Sequence, residues 1–359
     1  MIRKVEIEKD VVRMARIRIR NVFSNGIPVY LSTSGGKDSI CLFDLVMSMV
    51  ESGEVDGRLL TVDFVDEEAI YPCVERIVYG MQKRARMNGI RFRWWCCEFK
   101  HFNCFNQLAE DESFITWDRR AVGRWVRKRP RGAIVSHGRL KKGVDTYQKF
   151  LKRINADGIQ ICGVRVAESI QRMQAIASRK SKGGMEYPIY DWRDTDVWRY
   201  IGDHGLDFPD AYLFMYQTGR SKQLLRISQF FSVDTAQSLV QMCEYYPDLF
   251  DRICRREPNA YLAMLYFDSE FFRRKREKQN DAPVDYKAKT LAELQKTPTK
   301  GNKESHERIR KCVLTRGAIM NQKNWRDAYN TLVGGDPKGR SYRSLVTNIF
   351  RDNAKGASK

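Results

Sequence analysis

The chain of 359 residues contains no apolar run approaching the length that crosses a bilayer, and nothing in it resembles a signal peptide. A soluble, cytoplasmic protein with no membrane partner is therefore expected. No C-x2-C pair occurs; nine cysteines stand scattered at 41, 73, 96, 97, 104, 162, 243, 254 and 312. An odd number without regular spacing points to reduced thiols rather than a disulfide framework. Cys96, Cys97, His101 and Cys104 are the one group of metal-ligand residue types. They lack the repeated short spacing of zinc and iron–sulfur sites, so no iron–sulfur cluster is expected. Acids are scarcest between Arg119 and Arg153, where thirteen Arg and Lys face only Asp145, a net +12 within a chain of net +20. Such a block suits DNA or RNA, with Arg124, Arg127, Lys128, Arg129, Arg131, Lys141 and Lys142 as the expected contacts. A solvated basic loop is the plainer alternative.

A Walker A loop is missing too: position 31 is Leu where that motif needs Gly, and Lys37 is followed by Asp38 rather than Ser or Thr. What stands there is a β-prone run, Val29 to Thr33, then Ser34-Gly35-Gly36-Lys37-Asp38-Ser39, then a helical pattern with Leu42, Leu45, Val46 and Met49 on one face. Two glycines permit a tight turn and a close anion. The helix N-terminus and Lys37 supply positive charge, and Ser34 and Ser39 supply hydroxyl donors. The pattern is that of a phosphate cradle, and it resembles the PP-loop of the ATP pyrophosphatase superfamily.

Other elements follow in α/β order. Asp10 to Phe23 reads as an amphipathic helix with Arg13, Arg16, Arg18 and Arg20 as a solvated face. Leu59 to Val65 reads as a buried strand ending in Asp66-Glu67-Glu68. Asp66 or Glu68 there would hold Mg²⁺ or a ribose hydroxyl, or cap the helix around Val74 to Met87. Ile90 to Phe99 is a third strand. Residues 159–164 make a fourth, from which Gly163, Arg165, Glu168, Ser169 and Arg172 emerge at the same carboxyl edge as the Lys37 turn, as anion-binding groups or a surface ion-pair cluster. Tyr187 to Ile201 is a short strand and a helix, with Asp194 as its expected N-cap. The pattern predicts an α/β fold, a doubly wound and mostly parallel sheet over 1–205, then a helical cap over 206–272. A basic linker or arm and a small helical module occupy 273–359; over 273–311, thirteen basic residues stand against six acids with few aliphatics.

Three of these runs, in this order, resemble the PAPS-reductase family: the turn at 34–39, Gly163-Val164-Arg165-Val166-Ala167-Glu168-Ser169, and Pro188-Ile189-Tyr190-Asp191-Trp192 with Asp196-Val197-Trp198. The likeness spans about 28–205. A weaker extension through Tyr216-Gln217, Arg220 and Arg226-Ile227-Ser228 resembles the phage and prophage branch that includes the immunoglobulin-binding regulator A proteins. The resemblance implies an adenine nucleotide alpha hydrolase-like fold that binds ATP or a PAPS-like adenine nucleotide with Mg²⁺. It places Ser34, Gly35, Gly36, Lys37, Asp38 and Ser39 on the phosphates, and Arg165 and Arg172 at the phosphate or sulfate end. With it, Lys37, Asp38, Arg165 and Arg172 are the expected catalytic residues, Asp66, Gly163, Glu168 and Ser169 further nucleotide contacts, and Asp38 the expected Mg²⁺ ligand.

No Cys here is followed by Gly-x-His, the stretch that carries the nucleophile of thioredoxin-dependent family members. Sulfonyl reduction needs a thiolate. Three readings follow. The first is a nucleotide-cleaving adenylyl transferase in sulfur or nucleic-acid modification. The second is a PAPS reductase using Cys97 or Cys104. The third is a non-catalytic, nucleotide-responsive subunit that binds nucleic acid beside a partner.

Overall fold

Val29–Thr33 (β1) and Leu60–Val65 (β2) are buried along most of both faces, the pattern of strands covered from both sides, and they form the centre of an all-parallel sheet. The computed structural model describes residues 10–103, 113–168, 170–177, 184–218, 225, 227, 239–266, 285–298, 302–336 and 338–356. These divide into two units, Met1–Lys275 and Arg276–Lys359. In the first unit, α1 (Val11–Phe23) precedes β1. Then follow α2 (Lys37–Glu51), β2, α3 (Pro72–Met87) and β3 (Arg91–Trp95). A small antiparallel pair, β4 (Lys100–Phe102) and β5 (Ser113–Ile115), stands apart from the main sheet. Next come α4 (Tyr147–Ile154), β6 (Ile159–Cys162), α5 (Ile170–Ala177), β7 (Met185–Glu186), α6 (Asp194–Asp203) and α7 (Ala211–Gln217). Helices α8 (Leu239–Tyr245), α9 (Pro247–Arg256) and α10 (Asn259–Leu265) complete the unit.

The strand order is β3-β2-β1-β6-β7. From β1 the chain steps outward to β2 and β3, then returns to the other side of β1 for β6. The direction of winding therefore reverses between β1 and β6, and a crevice opens at their carboxyl ends. Leu31 registers with both Val62 and Ile161. Helix α2 is buried more widely than one face predicts, with Ile40, Cys41, Phe43 and Met47 enclosed as well, because α1 and α6 pack on it in addition to the sheet. Of the α1 cations, Arg18 grips Asp191 with two hydrogen bonds of 2.8 and 2.7 Å, and Arg16 and Arg20 both meet Glu54. Arg16 and Arg18 thus tie elements together, while Arg13 and Arg20 stay exposed as a solvated face expects.

Two expected boundaries move. The third strand ends at Trp95 because residue 134, from the basic stretch, comes alongside: Ile134 N–H donates to Trp94 O, and Cys96 N–H to Ile134 O. Helix α3 begins at Pro72 after Tyr71, so Asp66 and Glu68 do not cap it. In the second unit, α11 (Tyr286–Gln295), α12 (Lys303–Arg316), α13 (Gln322–Gly334) and α14 (Arg340–Gly356) enclose Ile309, Cys312, Trp325, Leu332, Leu345 and Ile349. Residues 286–295 and 303–311 are thus helical where a linker or arm is expected. A few buried side chains, Thr290, Leu294 and Ile309, suffice to dock two short helices on Trp325 and its neighbours. Among the described residues no helix is long and apolar enough to cross a membrane.

One buried charge network joins the sheet to α4. Asp63 on β2 accepts from Arg93 Nε at 2.6 Å, Trp95 Nε1 at 2.8 Å and Asn155 Nδ2 at 3.0 Å, and Arg93 also donates to Asn155 Oδ1 at 2.6 Å. Every lone pair removed from water is matched, which is the condition for such a pair to be tolerated. Asp63→Ala would strand the Arg93 charge, and urea denaturation is expected to show a loss of about 3–5 kcal/mol.

Candidate functional site

The turn after β1 sits at the point where winding reverses. Gly35 has φ +71°, and a Cβ there would lie 2.9 Å from Val74 Cγ1, so both conformation and space require glycine. Gly36 is the N-cap of α2 and offers no side-chain cap, which leaves the first helical N–H groups to other acceptors. The turn ahead of them is closed by its own hydroxyls. Ser34 N–H donates to Ser39 Oγ at 3.2 Å, Gly36 N–H to Ser34 Oγ at 3.4 Å, and Ser39 Oγ donates to Gly36 O at 2.9 Å. Lys37 N–H finds the hydroxyl of Tyr212, on α7, at 3.1 Å.

Gly163 brings the second half of the site into place. A Cβ at this position would stand 3.0 Å from the carbonyl carbon and oxygen of Asp38, so glycine lets the end of β6 rest against the first turn of α2 without crowding its backbone. Arg165 follows directly. Its Nε lies 2.6 Å from Asp38 Oδ1 and its Nη2 2.8 Å from Asp194 Oδ1. Lys37 Nζ lies 3.7 Å from Asp38 Oδ2 and 3.6 Å from Asp194 Oδ1, and donates to Leu225 O at 3.0 Å. Lys37 is 3% exposed and Arg165 is 2% exposed. Two buried cations and two carboxylates therefore form one closed cluster at the helix N-terminus.

Asp194 was missed as a site residue. Arg193 is the cap of α6, and the carboxylate of Asp196 accepts from Arg193 N–H at 2.7 Å, so Asp194 is released to bridge both cations. The signal was present: two acids stand in one first turn, and a cap needs one. Tyr212 had no such signal, because an aromatic in a helix reads as core. Asp38, with a guanidinium on one oxygen and an ammonium near the other, is not arranged as a cation site. The residues as placed do not fit Mg²⁺.

The remaining expected residues are not seen in this cluster. Arg172, on α5, lies near Cys162, where its charge acts on that thiol. Ser169, Cys104, Arg220, Arg226 and Ser228 fall outside the described residues, as does the side chain of Glu168. Asp66 is wholly buried, accepting from Trp94 Nε1 at 2.7 Å and from Arg127, which also bonds Glu75 at 2.6 Å. Glu68 is buried likewise, held by Arg256 at 2.8 Å and by the N–H of Trp117 at 2.7 Å. Both acids brace loops and present no open oxygen to a ribose or Mg²⁺. Arg129 lies 4.2 Å over the Trp125 ring and donates to Trp117 O. Thus Arg127 and Arg129 turn inward, while Arg124, Lys128, Arg131, Lys141 and Lys142 remain exposed.

Cys97 donates to Ile134 O at 3.3 Å, and burial pushes its thiol up to about 12, far from a thiolate at neutral pH. Among the described residues, no three His, Cys, Asp or Glu are placed to hold a metal ion. Glu67 sits at the carboxyl end of β2 with Oε1 3.9 Å from His101 Nδ1. Burial, then the Asp66 charge, push its carboxyl up to about 8.

Residues 28–219 match the model of the phosphoadenosine phosphosulfate reductase domain. The "Uncharacterized protein YbdN" of Escherichia coli (strain K12) is 25% identical over 296 residues, 75% of this chain and 71% of that protein. Phosphoadenylyl-sulfate reductase from Candida auris aligns at 13% identity and TM-score 0.33, covering 64% of this chain and 98% of that one. The U34-tRNA thiolase NcsA from Methanococcus maripaludis aligns at 12% identity and TM-score 0.33, covering 71% and 80%. That thiolase carries a [4Fe-4S] cluster, and it overturns the expectation, drawn from cysteine spacing, that no iron–sulfur cluster belongs here. Spacing along a chain is a weak criterion because a fold can gather ligands from distant positions.

The Glu67 carboxyl generates a pH prediction. Its raised value favours the neutral form in the fold, so its contribution is complete below about 4.5 and is lost as pH rises through about 8. Thermal denaturation across that range should fall less steeply for Glu67→Gln than for the parent.

Proposed function

The chain belongs to the phosphoadenosine phosphosulfate reductase domain family, and on that premise we propose that it binds ATP or a related adenylyl nucleotide with the phosphates on the 34–39 turn. It cleaves the α–β phosphate bond and adenylylates an acceptor. The observation that carries this reading is the meeting of Lys37 and Arg165 beside the N-terminus of α2, with Gly35 and Gly163 keeping space for close backbone approach. An acceptor oxygen or sulfur attacks the α-phosphorus, its bond to the bridging oxygen breaks, and pyrophosphate leaves with the electron pair. Lys37, Arg165 and the helix N–H groups neutralise the charge that gathers on pyrophosphate. A sulfur or nucleic-acid acceptor, with the exposed Arg131, Lys141 and Lys142 as nucleic-acid contacts, and membership of the phage and prophage branch are finer parts of the same proposal. The Cys97 thiol, buried and strongly raised, weighs against the thiol-dependent reductase reading.

A second reading, a nucleotide-responsive subunit without turnover, is favoured by one feature. The chain fills its own cradle: Tyr212 takes the Lys37 amide and Leu225 O takes the Lys37 ammonium. A nucleotide phosphate must displace both.

Pyrophosphate release from ATP, assayed with and without Mg²⁺, DNA or tRNA, separates the two readings. Lys37→Ala should lower the rate by about 10²–10³-fold; an unchanged rate would remove the turn from the chemistry. Binding without release would leave the regulatory reading standing. Tyr212→Phe removes the competing hydroxyl and should tighten ATP about fivefold by calorimetry, the worth of one hydrogen bond. Weaker binding would make that hydroxyl part of the phosphate site.

A further inference from the structure

Half of the chain's excess charge lies outside the unit that carries the nucleotide site. Residues 276–359 hold nineteen Lys and Arg against nine Asp and Glu, a net +10 of the total +20. In the 119–153 block much of the charge is turned inward or met by acids, as with Arg127 on Asp66, Arg120 on Asp118 and Arg153 on Asp145. In the helical unit Lys323 and Arg326 of α13 and Arg340, Arg343 and Arg351 of α14 are exposed. Lys323, Arg326 and Asn330 recur along α13 at spacings of three and four, one stripe about 10 Å long. Arg343 and Ser344, three and four residues after Arg340, are exposed with it along the start of α14.

Between the two helices runs an open groove of about 490 Å³. Asn330, Arg340, Ser341 and Ser344 line it and are exposed, so an amide, a guanidinium and two hydroxyls face a ligand together. Thr331, deeper in the groove, donates to Asp327 O at 2.7 Å and acts as structure. Asp327 is the acid in the groove. Burial raises its carboxyl, and Lys323 and Arg326 lie close enough to act on it, which limits its repulsion of an anion. At the other end of the helix pair, Asn321 and Asn324 both donate to Asp352 at 3.1 Å and tie the start of α13 to α14.

We propose that the α13–α14 groove binds the sugar–phosphate backbone of a nucleic acid strand. Hydroxyl and amide donors at its centre hold phosphate oxygens, and Arg340, Arg343, Lys323 and Arg326 neutralise the flanking charges. A stripe of about 10 Å spans about three phosphates of a stacked strand. This assignment does not depend on the nucleotide reading of the other unit, since it rests on other residues.

The test is fluorescence anisotropy with the full chain and labelled oligonucleotides of about 20 nucleotides, as single-stranded RNA, single-stranded DNA and duplex DNA, across a salt series. Binding should weaken linearly in log–log form with salt. Arg340→Ala with Arg343→Ala should weaken it about tenfold and reduce the salt slope by about 1.4–1.8. Lys323→Glu with Arg326→Glu should weaken it further, while helix content by circular dichroism stays at the parent level. Which of the three probes binds most tightly distinguishes RNA from DNA as the source of the strand. An unchanged affinity and slope in both variants overturns the proposal. So does a loss confined to Arg131→Ala with Lys141→Ala and Lys142→Ala, or no binding by the parent at low salt.

Discussion

The contact between the end of β6 and the first turn of α2 holds the rest of the site in register. With hydrogen as its side chain, Gly163 lets one strand end rest on the Asp38 peptide, and Arg165 then lands on the Asp38 and Asp194 carboxylates. The same two acids collect Lys37. Positive groups that would repel one another if brought together alone are held within a few ångströms by two intervening negative ones. That arrangement preorganises an anion site at the cost of partly neutralising it. The Tyr212 hydroxyl and the Leu225 carbonyl complete the neutralisation. Any phosphate must offer more than these internal partners do.

Away from this cluster, acids at strand ends do structural work. Asp66 and Glu68 lie just past β2, where open α/β sheets bind ligands, yet both are buried under Trp94, Trp117, Arg127 and Arg256. They fasten the loop after β2 to the 117–129 stretch and to α9. Part of the basic block is thus a set of internal counterions for acids placed elsewhere in the chain. A charge count along the sequence registers the cations, but it does not see that their partners lie about fifty or sixty residues upstream.

The helical unit shows the converse. Its first part, up to Lys311, reads as a linker because aliphatics are sparse, yet Leu294 and Ile309 join Cys312, Trp325, Leu332, Leu345 and Ile349 of the expected helical module in a sufficient core for four helices. With so few apolar positions used inside, most of the surface is left to polar and basic residues. A hydroxyl-lined groove bordered by arginine and lysine results from that economy of core.

By itself the sequence determined the alternation of buried strands and amphipathic helices, the glycine turn ahead of α2, and the emergence of Arg165 from a strand end. Each depends on local periodicity and on backbone freedom that neighbouring residues specify. Only the tertiary structure decided that Asp194 bridges Lys37 and Arg165 rather than capping its helix, that Tyr212 occupies the Lys37 amide, and that Arg127 and Arg129 face inward. Those outcomes turn on which groups meet across 12 to 175 positions of chain. Such meetings are set by strand order and loop path, neither of which is written in the spacing of any one segment.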